Sequence, residues 1–386
     1  MPKIEQNISR LKYLLKLYRI SIDDLLNMVS VGLKKPILED DLLSNSIELN
    51  YLKRIDKIFN KGLHYYLDPK ALDESKEESI FFRKEKFNTE LNIEARKVVN
   101  RFEEFKISLS AISKLAEINI ERRIPIFSVN DNAKEIAAEV RKVLYPIFSS
   151  EKKEFLRSLI TKFAETNILV FEFVETWNKK DNANVDGFFL EPFVIVLKRL
   201  QHSFRREIFT LVHELGHYLL NEEEVEKLEY ESIWKVKLSK VERWCNDFAY
   251  YFLIGSYDSI INKFDVANSD NDYYHERIKE ISLRTHLSEL AIYTRLLYQG
   301  KISLTNYEKV RSHILINIQK FKEQLKLQRE QEKAQGKKQK GSAPKPINSP
   351  LLVSTIQTAF YEGIISEYEV CKHLNIKPDK FSKYIP

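Results

Sequence analysis

Apolar positions recur at helical spacing over most of this chain and crowd together, strand-like, in only two short runs. Leu11, Leu14, Leu15 and Tyr18, followed by Ile22, Leu25, Leu26 and Val29, predict two helices joined at Arg19-Ile20-Ser21, with Ser21 as N-cap of the second. Leu49, Leu52, Ile55, Ile58 and Phe59 predict another. Leu91, Ala95, Val98, Val99, Phe102, Phe105, Leu109 and Ile112 predict a long amphipathic connector within 87–118. The β-branched and apolar runs 168–174 and 192–197, the second preceded by Asp186-Gly187, read as buried strands. Ile208, Leu211, Val212, Leu215 and Leu219 then form one helical stripe, and Val241, Cys245, Phe248 and Phe252 form a second. Near the C-terminus a helix, a break at Gly363, a cap at Ser366 and a further helix are legible. The fold class these elements predict is α+β, predominantly helical, with a small sheet.

Candidate chemistry sits on the first of those two stripes, in His213-Glu214-Leu215-Gly216-His217. Residues four apart on a helix lie one above the other, so the two imidazoles can grip one ion with Zn–N contacts of about 2.0–2.1 Å. Glu214 is turned roughly 100° round the helix, outside the ligand set but near an open position, where it can take a proton from water and return it to a leaving amine. With 8 His in 386 residues, a chance match to this string is expected in on the order of one chain in a hundred. Gly216 costs a helix interior about 1 kcal/mol relative to Ala, so something is expected to pack closely on the backbone there.

A third protein ligand is expected from the second stripe. Glu242 lies on the margin of its buried face, where a carboxylate is costly unless it is paired or bound to metal. It would complete a two-His, one-Glu zinc site with an open position. Asn246, one turn on, is placed to hold that carboxylate or a zinc-bound imidazole. Taken without the upstream motif, Glu242 reads as a solvated helix residue. The acidic run 222–226 is nearer in sequence, but such runs are usually solvated loops.

These residues resemble the ImmA/IrrE family of zinc metallopeptidases. The resemblance is carried by the stretch from Arg206 through Phe209-Thr210 and His213-Glu214-Leu215-Gly216-His217 to Leu220, and by Glu242 with Asn246-Asp247-Phe248-Ala249. It implies a zincin-like core of small sheet plus catalytic helices, Zn2+ held by His213, His217 and Glu242, and Glu214 as general base. Cys245 departs from it, standing where the family favours Ala, as does Ile254-Gly255-Ser256 in place of a Met-Pro ending. Arg206, Tyr218 and His275 are candidate oxyanion or orienting groups, each with a structural alternative. The segment 281–297 is similar to helices that follow the protease core, and the resemblance covers about half the chain, from about Ile124 to Arg311. It implies a protein substrate, often a transcriptional repressor encoded nearby, whose cleavage switches stress, mobile-element or phage-defence genes.

Composition adjusts this picture in two places. The formal net charge of +6 equals the excess of nine basic over three acidic residues between Lys320 and Lys345, so the rest of the chain is balanced and global basicity is no argument for a DNA-binding body. That segment starts as a Lys/Gln/Glu-rich helix and ends in Gly336-Lys337-Lys338-Gln339-Lys340-Gly341-Ser342-Ala343-Pro344, which cannot build a core and reads as a linker, with loose phosphate attraction as a secondary role. Two cysteines, Cys245 and Cys371, are too few for a disulfide framework, and no run is apolar enough to span a membrane, so the expected location is the cytoplasm.

Four regions are expected. A helical N-terminal region spans 1–119, the metallopeptidase domain 120–315, a basic flexible linker 316–350 and a small helical tail 351–386. Tyr18-Arg19-Ile20-Ser21-Ile22-Asp23-Asp24 faintly resembles the opening of an Xre-like helix-turn-helix, but the stretch 32–50 that should supply a recognition helix holds Glu39-Asp40-Asp41, which phosphate would repel. The function expected is zinc-dependent cleavage of a protein. The rivals are a non-proteolytic regulator that binds DNA or a repressor, and a toxin–antitoxin or defence partner acting by association.

Overall fold

The computed structural model describes residues 3–70, 91–175, 182–199, 204–223, 238–266, 274–334 and 345–385. Of the expectations above, the start of the connector (87–90), the acidic residues 224–226 and the glycine- and lysine-rich end of the linker (336–344) lie outside them. Two compact units are present, Met1–Phe105 with Asp181–Asn184, and Lys106–Lys180 with Val185–Pro386.

In the first unit a two-stranded antiparallel sheet, β1 (Lys3–Glu5) with β2 (Ser46–Glu48), accompanies helices α1 (Ile8–Tyr18), α2 (Ile22–Ser30), α3 (Glu39–Leu42), α4 (Leu49–Phe59) and α5 (Leu63–Leu67). Helix α1 ends where Arg19 turns into the left-handed region, and the Ser21 side chain then accepts from Asp24 N to start α2. Leu11, Leu14, Leu25, Leu52 and Ile55 are buried, and Tyr18 stacks on Phe59 at 5.3 Å. Between α2 and α4 the chain makes turns, the single-turn α3 and β2, and α4 begins at Leu49, within the stretch 32–50. The connector helix α6 runs Ile93–Leu115. Its start is set by Asn92, whose side chain accepts from Ala95 N at 2.9 Å.

The second unit is built on a three-stranded sheet of order β3-β5-β4, formed by β3 (Leu169–Val174), β4 (Gly187–Leu190) and β5 (Val194–Arg199). Strand β5 is central, parallel to β3 and antiparallel to β4, which explains its unbroken apolar run. The sequence pattern concealed β4. Gly187-Phe188-Phe189-Leu190 is a separate strand, and Pro192, which has no N–H for a ladder, lies in the turn that makes β4–β5 a hairpin.

Helices α7 (Ala133–Leu144), α8 (Lys152–Glu165), α9 (Phe204–Leu220) and α10 (Lys240–Ile254) pack on one another, with α8 against β3 and α9 against β4 and β5. Helix α9 touches β4, β5, α8 and α10, and nearly every residue from Glu207 to Leu220 is buried. One apolar cluster runs from Ala137 to Tyr307, each fully buried Leu, Ile or Phe contributing about 1.5–3 kcal/mol. Then follow α11 (Asp258–Ile261), α12 (His275–Thr285), α13 (Glu289–Tyr298) and the long α14 (Leu304–Ala334). Residues 281–297 thus belong to two helices, divided at His286, which adopts the left-handed conformation, and restarted by the Ser288 cap. The chain ends in α15 (Pro350–Tyr361), α16 (Glu367–His373) and α17 (Phe381–Tyr384), with Gly363 at φ 72° and a Ser366–Glu369 capping box. Among the described residues no helix is long and apolar enough to cross a membrane.

A buried charge network joins sheet to helix. Arg199, at the end of β5, pairs with Glu172 of β3 and, at 2.9 Å, with Glu207 in the first turn of α9. Glu172 also accepts from the backbone N–H groups of Ile347 and Asn348, and the Lys345 carbonyl accepts from Arg199. The end of the expected linker is therefore held against the sheet. Arg199→Ala removes the guanidinium that two buried carboxylates share and is expected to destabilise the fold by about 3–5 kcal/mol. In urea denaturation, Arg199→Met combined with Glu172→Gln and Glu207→Gln should regain most of that loss.

Candidate metal centre

Helix α9 presents His213 and His217 one turn apart on its inner surface, and α10 brings Glu242 to meet them. Helix α10 begins at Ser239, whose hydroxyl accepts from Glu242 N at 3.0 Å, so Glu242 stands in the first turn. The two helices come into close contact at Gly216. A Cβ there would lie 3.0 Å from Cys245 Sγ and 3.1 Å from Cys245 Cα. Cys245 is one turn beyond Glu242, so this contact sets the carboxylate opposite the imidazoles.

The three side chains are 1–2% exposed and their donor atoms form a small triangle. His213 Nε2 lies 3.2 Å from His217 Nε2 and 3.2 Å from Glu242 Oε2, and His217 Nε2 lies 3.1 Å from Glu242 Oε1. Ligands about 2.0–2.1 Å from a tetrahedral ion stand about 3.3 Å apart, so these spacings fit three corners of a zinc site. Glu242 Oε1 and Glu214 Oε2 are buried and receive no well-directed hydrogen bond, as suits carboxylate oxygens beside a cation. Among the described residues, this is the one group of three His, Cys, Asp or Glu side chains close enough to share an ion.

The charges respond to this crowding. Burial pushes the Glu214 carboxyl up to about 7, against the pull of His217 and His213. Burial would also raise Glu242, but the two imidazoles hold it well below the usual carboxylate range. Burial alone would lower His217; its contacts with Cys245 and Glu242 raise it well above the usual histidine range instead. The Cys245 thiol is pushed up to about 11 by burial, against the pull of His217.

Strand β4 lies directly on Glu214. A Cβ at Gly187 would come within 3.1 Å of Glu214 Cγ and 2.6 Å of Thr210 Cγ2, so only glycine lets the strand rest on α9 here. Asp186, just before it, accepts from Arg206 Nε at 2.7 Å, which fixes the partly exposed Arg206 on the same side of α9.

The remaining sequence candidates are placed differently. Asn246 is half-buried, and no hydrogen bond to Glu242 or either histidine is present among the described residues. The Tyr218 ring is buried, edge-on to Phe189 at 5.9 Å and beneath the Arg122 guanidinium at 3.9 Å. His275 Nδ1 lies 3.2 Å from Tyr293 Oη. Two contacts beside the site were missed by sequence reasoning. His217 Nδ1 donates to the Glu222 carbonyl at 3.1 Å, and Glu223, expected in a solvated acidic run, is buried, with Oε1 accepting from Glu191 N at 2.9 Å. The first involves a backbone acceptor, which leaves no mark in residue identity.

Residues 165–297 match the family Peptidase_M78, described as the IrrE N-terminal-like domain. No curated protein and no solved structure matches the chain. The helix crossing yields a direct test of the geometry: Gly216→Val should force α9 and α10 apart, lowering stability by about 1–3 kcal/mol through overpacking. Zinc content of the purified variant should fall with its thermal midpoint.

Proposed function

We propose that the protein, whose residues 165–297 match the Peptidase_M78 family model, is a zinc-dependent endopeptidase that cleaves a protein, in keeping with the family it resembles, a transcriptional repressor or partner regulator encoded nearby. The observation that carries this reading is the convergence of His213, His217 and Glu242 with Glu214 beside them.

His213, His217 and Glu242 would hold the ion. When bound, Zn2+ supplies Lewis acidity, polarising a carbonyl and bringing the pKa of water down to about 7. Glu214 supplies the proton transfers. A carboxyl that burial has raised to about 7 is matched to taking a proton from water and giving it to the departing amine near neutral pH. Strand β4 is one of the two outer strands of the sheet, and its Gly187 lies against Glu214. A peptide pairing along β4 through backbone hydrogen bonds would therefore bring a scissile bond to that carboxylate with little dependence on side chains. Arg206, steadied by Asp186, stands on the same side of α9 as a candidate contact for substrate carbonyl or carboxylate groups.

The test is co-expression with the product of the adjacent gene, scored by intact mass. Glu214→Gln should keep its zinc while cleavage falls about 10²–10⁴-fold, the usual contribution of general acid–base catalysis. Glu242→Ala should lose zinc and cleavage together. Intact adjacent product in the presence of zinc-loaded wild type, with a biological effect that Glu214→Gln retains, would favour a binding regulator.

A further inference from the structure

The end of α9 and the three residues after it connect the metal centre to the β4–β5 turn. His217 turns Nε2 toward His213 and Glu242 and gives Nδ1–H to the Glu222 carbonyl. A carbonyl only accepts, so Nδ1 carries a proton and the ring's rotation is fixed by where that oxygen stands. Glu222 has an exposed side chain; its backbone is what serves the histidine. The backbone position is set by its neighbour. Glu223 is 2% exposed and reaches across to the Glu191 amide, inside the turn between β4 and β5.

That turn is itself anchored. Lys106 Nζ donates to the Glu191 carbonyl at 2.7 Å. Arg122 donates to the Pro192 carbonyl at 3.4 Å and also to Asn221 Oδ1 and the Tyr218 carbonyl at the end of α9. A carboxylate as buried as that of Glu223 is costly to place unless its oxygens find donors, so its site at this amide is a specific one.

We propose that Glu223 is a positioning residue for the metal centre: anchored on the Glu191 amide, it holds the Glu222 carbonyl against His217 Nδ1 and so keeps the His217 ring turned toward the ion. The inference rests on the zinc reading above. What the contact requires is an acceptor of the right reach, because the donor is a neutral amide. Glu223→Gln retains that acceptor, Glu223→Asp falls one methylene short, and Glu223→Ala removes it.

The experiment titrates zinc into the full-length chain against a chromophoric chelator, with the thermal midpoint of each metal-free variant measured in parallel. Glu223→Ala and Glu223→Asp are expected to bind zinc about 10- to 100-fold more weakly, the range for partners of metal-bound histidines, while Glu223→Gln stays close to wild type. Zinc affinity unchanged in Ala and Asp, whatever happens to the thermal midpoint, overturns the positioning role. Weakening in Gln equal to that in Ala also overturns it, since an acceptor would then not be what matters. A wild type that binds zinc no better than His213→Ala overturns the metal reading itself and this role with it, an outcome separate from the other two.

Discussion

Two helices can bring their backbones into contact only where one of them lacks a side chain, and α9 meets α10 at such a place. Helix axes are ordinarily held 8–10 Å apart by the residues between them. At Gly216 nothing intervenes, and Cys245 packs on the bare backbone. His213 and His217 flank that glycine within one turn on either side, and Glu242 precedes Cys245 by one turn. The ligand triangle is therefore a consequence of the crossing. The helix tolerates a poor helix former because packing outweighs the propensity lost.

Buried charge in the second unit is handled in two ways. Around Arg199 the protein is complete in itself: one guanidinium meets Glu172 and Glu207, and backbone amides of Ile347 and Asn348 satisfy what is left of Glu172. The second cluster has two carboxylates and two imidazoles. There the groups divide, with Glu242 driven toward its ionised form and Glu214 toward its protonated one. A divalent cation would favour ionised Glu242 and unprotonated Nε2 atoms, taking the place of the proton on His217. The donor set thus has the composition of a metal ligand group, and the reaction proposed above would use Glu214 beside it as the proton carrier.

Much of this was legible in the chain and some was not, for identifiable reasons. The relation between His213 and His217 is internal to one helix, so spacing alone determines it. Glu242 could be placed because its phase on α10 puts it at the edge of a buried stripe. Gly216 announced a close contact, though not which residue would make it. Strand β4 escaped because it is only Gly187–Leu190, and its aromatic pair gives no period to read. Composition gave no sign that Ile347 and Asn348, near the end of the expected linker, bind Glu172, since the amides that do so belong to the backbone. Glu223 was hidden among like charges, where only the fold distinguishes a buried carboxylate from solvated neighbours.

These contacts share a geometric consequence for α9. Its first turn is held through Glu207 to Arg199, and thereby to the strand ends and the segment at Ile347. Its last turn is held by Arg122 on the Tyr218 carbonyl and by the Glu222 carbonyl on His217. Between the two, the Gly187 backbone rests on Thr210 and Glu214, and Cys245 rests on Gly216. Polar anchors at both ends fix the helix along its axis, and glycine contacts on two sides fix its rotation. Glu214 lies between those anchors, where the proposed reaction would need a carboxylate with little freedom to move.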